Sequence, residues 1–396
     1  MPALAVSAAT ATSALGRGRD AHASAFSAMR GGLRANDISH APLDCWIGRV
    51  DGVEAVQLPS ADAPWDCRNN HLAWLGLQQD GFLDTARAAV ARYGAARVAV
   101  LMGTSTGSIR STEWGYRHLE NGRLPEALRH PRLHTLHSLG RFVADVLDAH
   151  GPCLTVSTAC SSSAKVFAMG ARLINAGLVD AAVVGGVDTL CDSVLFGFNS
   201  LELVSPEPCR PFDVARHGIS IGEAAGFALL ERVETAPHAP RLVGYGESSD
   251  AWHMSTPHPD GLGAERATRD ALARAGLAPE AVDYIHLHGT ATTKNDEVEA
   301  ALVARLFPAT TRASSIKGYV GHTLGAAGAL GAVTALLAFE HQQIPGNLGC
   351  DKPDPACGPQ LALQSAPADV DVALVNAFGF GGNNACLALA RAEACA

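Results

Sequence analysis

The chain has 396 residues, 47% of them apolar and 6% aromatic, with a formal net charge of −9. That length fills one large core or two packed units of ordinary size. The acidic balance excludes nucleic acid as the main partner, though a local basic patch can still meet an acidic protein. No apolar run is long enough, and free enough of polar residues, to cross a membrane. The start, Met1-Pro2-Ala3-Leu4-Ala5-Val6, lacks the basic flank of a secretory signal. A soluble, cytoplasmic protein is expected.

Apolar β-branched runs alternate with Ala/Leu-rich helical stretches, which indicates α/β architecture. Arg97 to Met102 reads as a buried strand that ends in the small-residue loop Gly103-Thr104-Ser105-Thr106-Gly107-Ser108. Leu154 to Ser157 is the next strand. The helix Ser161 to Ala176 follows, with apolar positions at Ala164, Phe167, Ala168, Ala171 and Ile174 and a stop at Gly177. Ala181 to Val187 is another buried strand. After the Pro-containing stretch from Thr235 to Pro240, strands are expected at Leu242 to Tyr245, Tyr284 to Leu287 and Ala313 to Ile316. A helix dense in small residues runs from Gly325 to Phe339, and Val372 to Asn376 is a late strand. Close packing is what small residues permit, so this helix belongs at the centre. The pattern divides the chain into 1–237 and 238–396, two α/β halves without a clear sequence repeat or a low-complexity linker.

Ten cysteines are spread along the chain without a Cys-x-x-Cys pair, and reduced thiols fit that spacing better than disulfides. Cys350 and Cys357 make at most half a metal site, since no second pair accompanies them. No metal is expected.

Four motifs carry chemistry. Cys160 lies where the strand stops and the helix begins, in Thr158-Ala159-Cys160-Ser161-Ser162-Ser163. The unpaired N–H groups and dipole of a helix start favour thiolate over thiol. His286-Leu287-His288-Gly289-Thr290-Ala291-Thr292 follows a strand, and strand alternation puts His286 and His288 on one face without choosing between them. Ser315-Ile316-Lys317-Gly318-Tyr319-Val320-Gly321-His322 sets a lysine and a histidine around a glycine-rich turn. The lysine is notable because Lys165, Lys294, Lys317 and Lys352 are the only ones. Asn376-Ala377-Phe378-Gly379-Phe380-Gly381-Gly382-Asn383-Asn384 reads either as a mobile loop carrying an aromatic plug or as a tight hairpin.

Together these motifs resemble the β-ketoacyl-acyl carrier protein synthase family, in its elongating Cys-His-His group. The resemblance takes in the Gly103 to Ile109 loop, Pro208-Cys209-Arg210-Pro211-Phe212-Asp213, Gly222-Glu223-Ala224-Ala225-Gly226 and Ser249-Asp250-Ala251-Trp252-His253-Met254, in the family's order. It implies a thiolase-like fold of two similar α/β halves in α-β-α-β-α layers. It implies a decarboxylative Claisen condensation of a Cys-bound acyl group with a malonyl thioester. By residue match, Cys160 is the nucleophile, and its backbone N–H and that of Phe380 form the oxyanion hole. His288 and His322 stabilise the enolate. Lys317 supports the site, with Glu299 and Asp296 behind it. Thr290, Thr292 and Ser255 contact pantetheine, and Phe380 gates the acyl pocket. No cofactor is implied beyond the phosphopantetheine of the substrate. The implied partners are an acyl carrier protein and a second subunit, either identical or a related chain-length factor, with Ala181 to Val187 at the dimer interface.

Asn383 stands where threonine is common, and Arg216-His217-Gly218-Ile219-Ser220 replaces an acidic version of that segment. Both departures, with the Trp252 and Cys209 segments, point to a specialised polyene or polyketide member. A non-catalytic partner subunit would lack Cys160. A degradative thiolase would want a second reactive cysteine, whereas Cys386 sits in an apolar, strand-like context. An initiating synthase would use Cys-His-Asn.

Overall fold

The computed structural model describes residues 1–59 and 65–395. Its frame is ten strands: β1 (Leu4–Ser13), β2 (Val98–Gly103), β3 (Cys153–Val156), β4 (Ala181–Asp188), β5 (Ala224–Arg232), β6 (Arg241–Ser249), β7 (Tyr284–His286), β8 (Arg312–Ser314), β9 (Val372–Gly379) and β10 (Asn383–Ala390). They lie side by side in the order β8-β7-β9-β10-β6-β1-β5-β4-β2-β3. Counted from the centre outward, β1-β5-β4-β2-β3 and β6-β10-β9-β7-β8 repeat one arrangement. In each, the two inner pairings are antiparallel and the two outer pairings parallel. The halves meet through a short antiparallel contact, Leu4 opposite Leu242 and Ala5 opposite Arg241. This is the thiolase-like arrangement, repeated in strand order without a clear repeat in sequence.

Two helices occupy the centre: α1 (Ser162–Asn175) and, after α2 (Thr293–Leu306), α3 (Ala327–His341). Their contact demands small residues. A Cβ at Gly328 would lie 2.4 Å from the Ala164 nitrogen, well inside van der Waals contact. One at Gly103, at the end of β2, would lie 2.4 Å from the Ser163 nitrogen. Glycine at these positions lets α3 start against α1, and α1 start against the end of β2. Gly177 terminates α1 as expected: it is left-handed, with φ 71°, and its N–H donates to the Ile174 carbonyl at 2.9 Å.

Two expectations need correction. The stretch Leu324–His341 has mean hydropathy 1.4 over 18 residues, long and apolar enough to cross a membrane by composition alone. It is 83% buried inside the protein, because a helix covered on every side needs no polar face. The strand Ala181–Asp188 has no free edge, since β5 pairs with it on one side and β2 on the other. The open edge of this half is β3, where Leu154 is 44% exposed.

Candidate active site

Cys160 sits between β3 and α1, and the residue before it is strained. Ala159 has φ 53°, a conformation costly for a residue with a Cβ. The Thr158 N–H donates to Ser162 Oγ at 2.9 Å, and that hydroxyl donates to the Ala159 carbonyl at 2.5 Å. These bonds hold the bend and aim the thiol inward. The backbone N–H groups of Phe380 and of Cys160 itself lie against the sulfur. Cys160 is nonetheless only 4% exposed, and burial pushes its thiol up to about 11 against Lys317 and both N–H groups. The expected thiolate is therefore a thiol at rest. Desolvation of a charged sulfur outweighs the helix start.

His322 Nε2 is 2.9 Å from the Cys160 sulfur. Its Nδ1 accepts the N–H of Leu324 at 3.1 Å. An Nδ1 that accepts cannot carry the proton of a neutral ring, so the proton is on Nε2 and faces the sulfur. His288 meets His322 edge to face, with ring centroids 5.3 Å apart. The Lys317 ammonium lies 3.4 Å from His288 Nδ1 and donates to the His288 carbonyl. Burial lowers the affinity of Lys317 for its proton, and the charges of Glu299 and Asp296 oppose that. As an ammonium it has no lone pair, so it selects the His288 tautomer with the proton on Nε2. Burial, reinforced by Lys317, holds both rings well below the usual imidazole range, so both are neutral.

His286 plays no part here. It is the last residue of β7, buried against Gly331 of α3, and Tyr284 Oη lies 3.5 Å from its Nδ1. The strand stops before His288, so alternation does not extend to that residue.

Behind His288, two buried carboxylates stitch the loop together. Glu299 on α2 accepts the N–H groups of His288 at 2.8 Å and Gly289 at 2.7 Å, and the Asn376 amide at 3.1 Å. Asp296 accepts the N–H groups of Thr290, Ala291 and Phe212. Thr290 and Thr292 share a hydroxyl bond of 2.8 Å. Burial pushes Glu299 up to about 7 from its ordinary 4.5, despite the three donors. A carboxyl that holds its proton more tightly folded than unfolded stabilises the fold below pH 4.5, and that contribution is lost as pH rises through about 7. The loss should be roughly 3 kcal/mol. Urea midpoints measured from pH 4 to 8 should fall for the wild type relative to Glu299→Gln; parallel curves would remove Glu299 as the cause.

A cavity of about 330 Å³ opens onto the pair of histidines. Cys160, His288, His322 and Phe380 line it, as do Thr290, Thr292 and Ser255. Lys317, Glu299 and Asp296 are not among the lining residues and stand behind them. The motif after β9 is a hairpin to β10, with Phe380 in its turn. Phe380 is half-buried, and its ring lies 5.4 Å from that of Phe198. Phe198 belongs to the helix Asp192–Ser200 and carries no motif, so only packing reveals it. Asp250 also escaped the sequence analysis as a holder of the turn: its N–H donates to the Gly382 carbonyl at 3.0 Å and its carboxylate accepts Asn384 Nδ2 at 2.8 Å.

The ligand atoms of Cys160, His288 and His322 fall within 4.8 Å of one another, the spacing of a metal site. The surroundings oppose one. A metal-bound imidazole donates its second N–H to an acceptor, whereas both Nδ1 atoms here face donors, the Leu324 N–H and the Lys317 ammonium. Among the described residues, no third donor joins Cys350 and Cys357. Cys386 is wholly buried in β10.

Residues 71–236 match the family model "Beta-ketoacyl synthase, N-terminal domain", and residues 240–351 match "Beta-ketoacyl synthase, C-terminal domain". The 3-oxoacyl-[acyl-carrier-protein] synthase 2 of Synechocystis sp. is 31% identical over 369 residues, covering 87% of this chain and 86% of that protein. A putative polyketide beta-ketoacyl synthase 1 of Streptomyces virginiae is 32% identical and covers 75% of this chain and 76% of its own. Among solved structures, a chain of the complex of a ketosynthase with its chain length factor from Xenorhabdus doucetiae superposes with TM-score 0.88 at 39% identity, covering 98% of each chain.

Proposed function

Starting from the fact that the chain belongs to the β-ketoacyl synthase family, we propose that it elongates an acyl chain on Cys160 with a malonyl unit, both delivered as phosphopantetheine thioesters of an acyl carrier protein. The observation that carries this is the pair of neutral imidazoles beside Cys160, His322 with Nε2 2.9 Å from the sulfur and both rings with Nδ1 facing a donor. In the first half-reaction the sulfur attacks the acyl thioester. The new S–C bond forms, the carrier's C–S bond breaks, and the proton of Cys160 ends on the departing pantetheine thiol. The N–H groups of Cys160 and Phe380 receive the developing oxyanion.

In the second half-reaction the malonyl carboxylate leaves as carbon dioxide, and its bonding electrons pass to the thioester oxygen as an enolate. Nε2–H of His288 and Nε2–H of His322 stabilise that charge, so no metal and no cofactor is required. The enolate carbon attacks the acyl carbon, the Cys160 C–S bond breaks, and the sulfur takes up a proton. Lys317 holds the tautomer of His288. Glu299 and Asp296 hold its loop. Thr290, Thr292 and Ser255 border the path of the pantetheine arm. The two halves, 1–237 and 238–396, supply the nucleophile and the histidines respectively.

A specialised placement in polyketide or polyene synthesis in the cytoplasm is part of this proposal. The 32% identity to a putative polyketide beta-ketoacyl synthase supports the polyketide reading, and the 39% identity to a chain of a ketosynthase and chain-length-factor complex supports the partner. The placement adds a second, related subunit, or a second copy, docked along β3. The apolar residues Trp114, Tyr116, Leu119, Leu136 and Leu154 are exposed, and His137, next to Leu136, bonds to Thr155 of the edge strand at 3.0 Å. Leu154→Lys should reduce the mass in light scattering to that of a single chain; an unchanged mass would put the interface elsewhere.

The test of the reaction is acylation. Incubated with acyl-carrier protein, the protein should gain the mass of one acyl group, and peptide mapping should place it on Cys160. Acylation at another residue, or none with several chain lengths, would overturn the assignment.

A further inference from the structure

Lys165 stands on α1 one turn beyond Cys160 and is half-buried. Its Nζ donates to Oδ1 of Asn383, 3.2 Å away. The same amide turns its Nδ2 to the Phe380 carbonyl at 3.4 Å. It is folded under the turn, since a Cβ at Gly381 would lie 3.3 Å from that Nδ2. The two other charged groups near Lys165 are Glu247 and Arg172, and these pair with each other. A cation on the nucleophile's own helix thus reaches, through one side-chain amide, the residue whose N–H lies against the Cys160 sulfur.

That turn needs a tie. Gly381 and Gly382 are both left-handed, with φ 75° and 73°, and glycine gives a peptide the freedom to swing. A hydrogen bond from a cation polarises the amide that receives it and strengthens the bond that amide donates in turn. Neither Lys165 nor its ammonium lines the cavity, so it acts through Asn383 alone.

We infer that Lys165 is a positioning residue: through Asn383 it fixes the Phe380 peptide, and with it the direction of the Phe380 N–H when charge develops on the thioester oxygen. This rests on the reading of Cys160 and Phe380 given above. Removing an oxyanion donor outright costs about 10²–10³ in turnover, so loosening one should cost about tenfold.

The experiment is a cycle of variants assayed with acyl- and malonyl-carrier protein. Lys165→Met keeps the stem and removes the charge, and Asn383→Leu removes the relay. Each should lower kcat about tenfold with KM within twofold, and the double variant should lose no more than either single one. Lys165→Arg should recover most of the rate. Thermal melting of each variant checks the fold, and Lys165→Gln replaces Lys165→Met if the latter does not fold. Losses that multiply in the double variant, a rise in KM with kcat unchanged, or a Lys165→Met rate within twofold of wild type would each overturn the inference. Cys160→Ala runs alongside. If it is inactive while Lys165→Met is normal, only the relay falls; if it condenses, the reading of the site falls with it.

Discussion

Cys160→Ala should abolish condensation and leave decarboxylation. Loss of a covalent nucleophile costs on the order of 10⁶ in turnover, because the step it splits has no other route. The two half-reactions use different atoms. In the proposed mechanism the enolate oxygen meets Nε2 of His288 and of His322, and each ring has a holder other than the sulfur. Leu324 holds one ring and Lys317 the other. The variant should therefore still release carbon dioxide from malonyl-carrier protein, leaving acetyl-carrier protein, while forming no ketoacyl product. Radiolabelled malonate separates the outcomes. Ketoacyl product at the wild-type rate would remove Cys160 as the nucleophile. Loss of carbon dioxide release as well would mean that the histidines depend on the sulfur after all.

His288→Ala should give the mirror image. Cys160 should still be acylated, since the oxyanion donors proposed for that step are the backbone N–H groups of Cys160 and Phe380, which lie against the sulfur. Decarboxylation should fall by about 10²–10³, the cost of one preorganised donor. The same loss should follow Lys317→Met. Without the ammonium 3.4 Å away, the proton of His288 can sit on Nδ1, and Nε2 then presents a lone pair to the enolate. Acyl-enzyme mass and carbon dioxide release, measured on the same samples, check both variants. Acylation lost in step with decarboxylation would make His288 part of the first half-reaction. A Lys317→Met variant with normal decarboxylation would show that the tautomer is set by something else.

The four site motifs were legible because each carries residue types that a fold alone does not require. Their order along the chain brought in the family, and the family supplied the pairing of Cys160 with His322 across 162 residues. Periodicity could not have found it. The central place of the helix from Gly325 was legible from its small residues, Gly328 among them, whereas that of the helix after Cys160 is seen only once Gly103 packs against it. Other features depend on packing that no local pattern records. The first strand, Leu4–Ser13, is rich in alanine, serine and threonine and becomes a strand because β5 and β6 flank it. Ala181–Val187 has the apolar run of an interface strand and of a central one alike, and its two neighbours decide for the centre. The resting state of the Cys160 thiol is hidden for the same reason: a helix start is visible in the sequence, but the burial that outweighs it is not. Phe198 lies on a helix without a motif and meets Phe380 only in three dimensions.

One measurement addresses the central claim most directly. Acyl-enzyme is isolated with the acyl group on Cys160, malonyl-carrier protein is added, and carbon dioxide, acyl-enzyme and ketoacyl-carrier protein are followed in a single turnover. The structure predicts that the acyl mass leaves Cys160 as carbon dioxide and ketoacyl-carrier protein appear in equal amounts. Carbon dioxide released while the acyl group stays on Cys160, or the acyl group released as free acid, would contradict it.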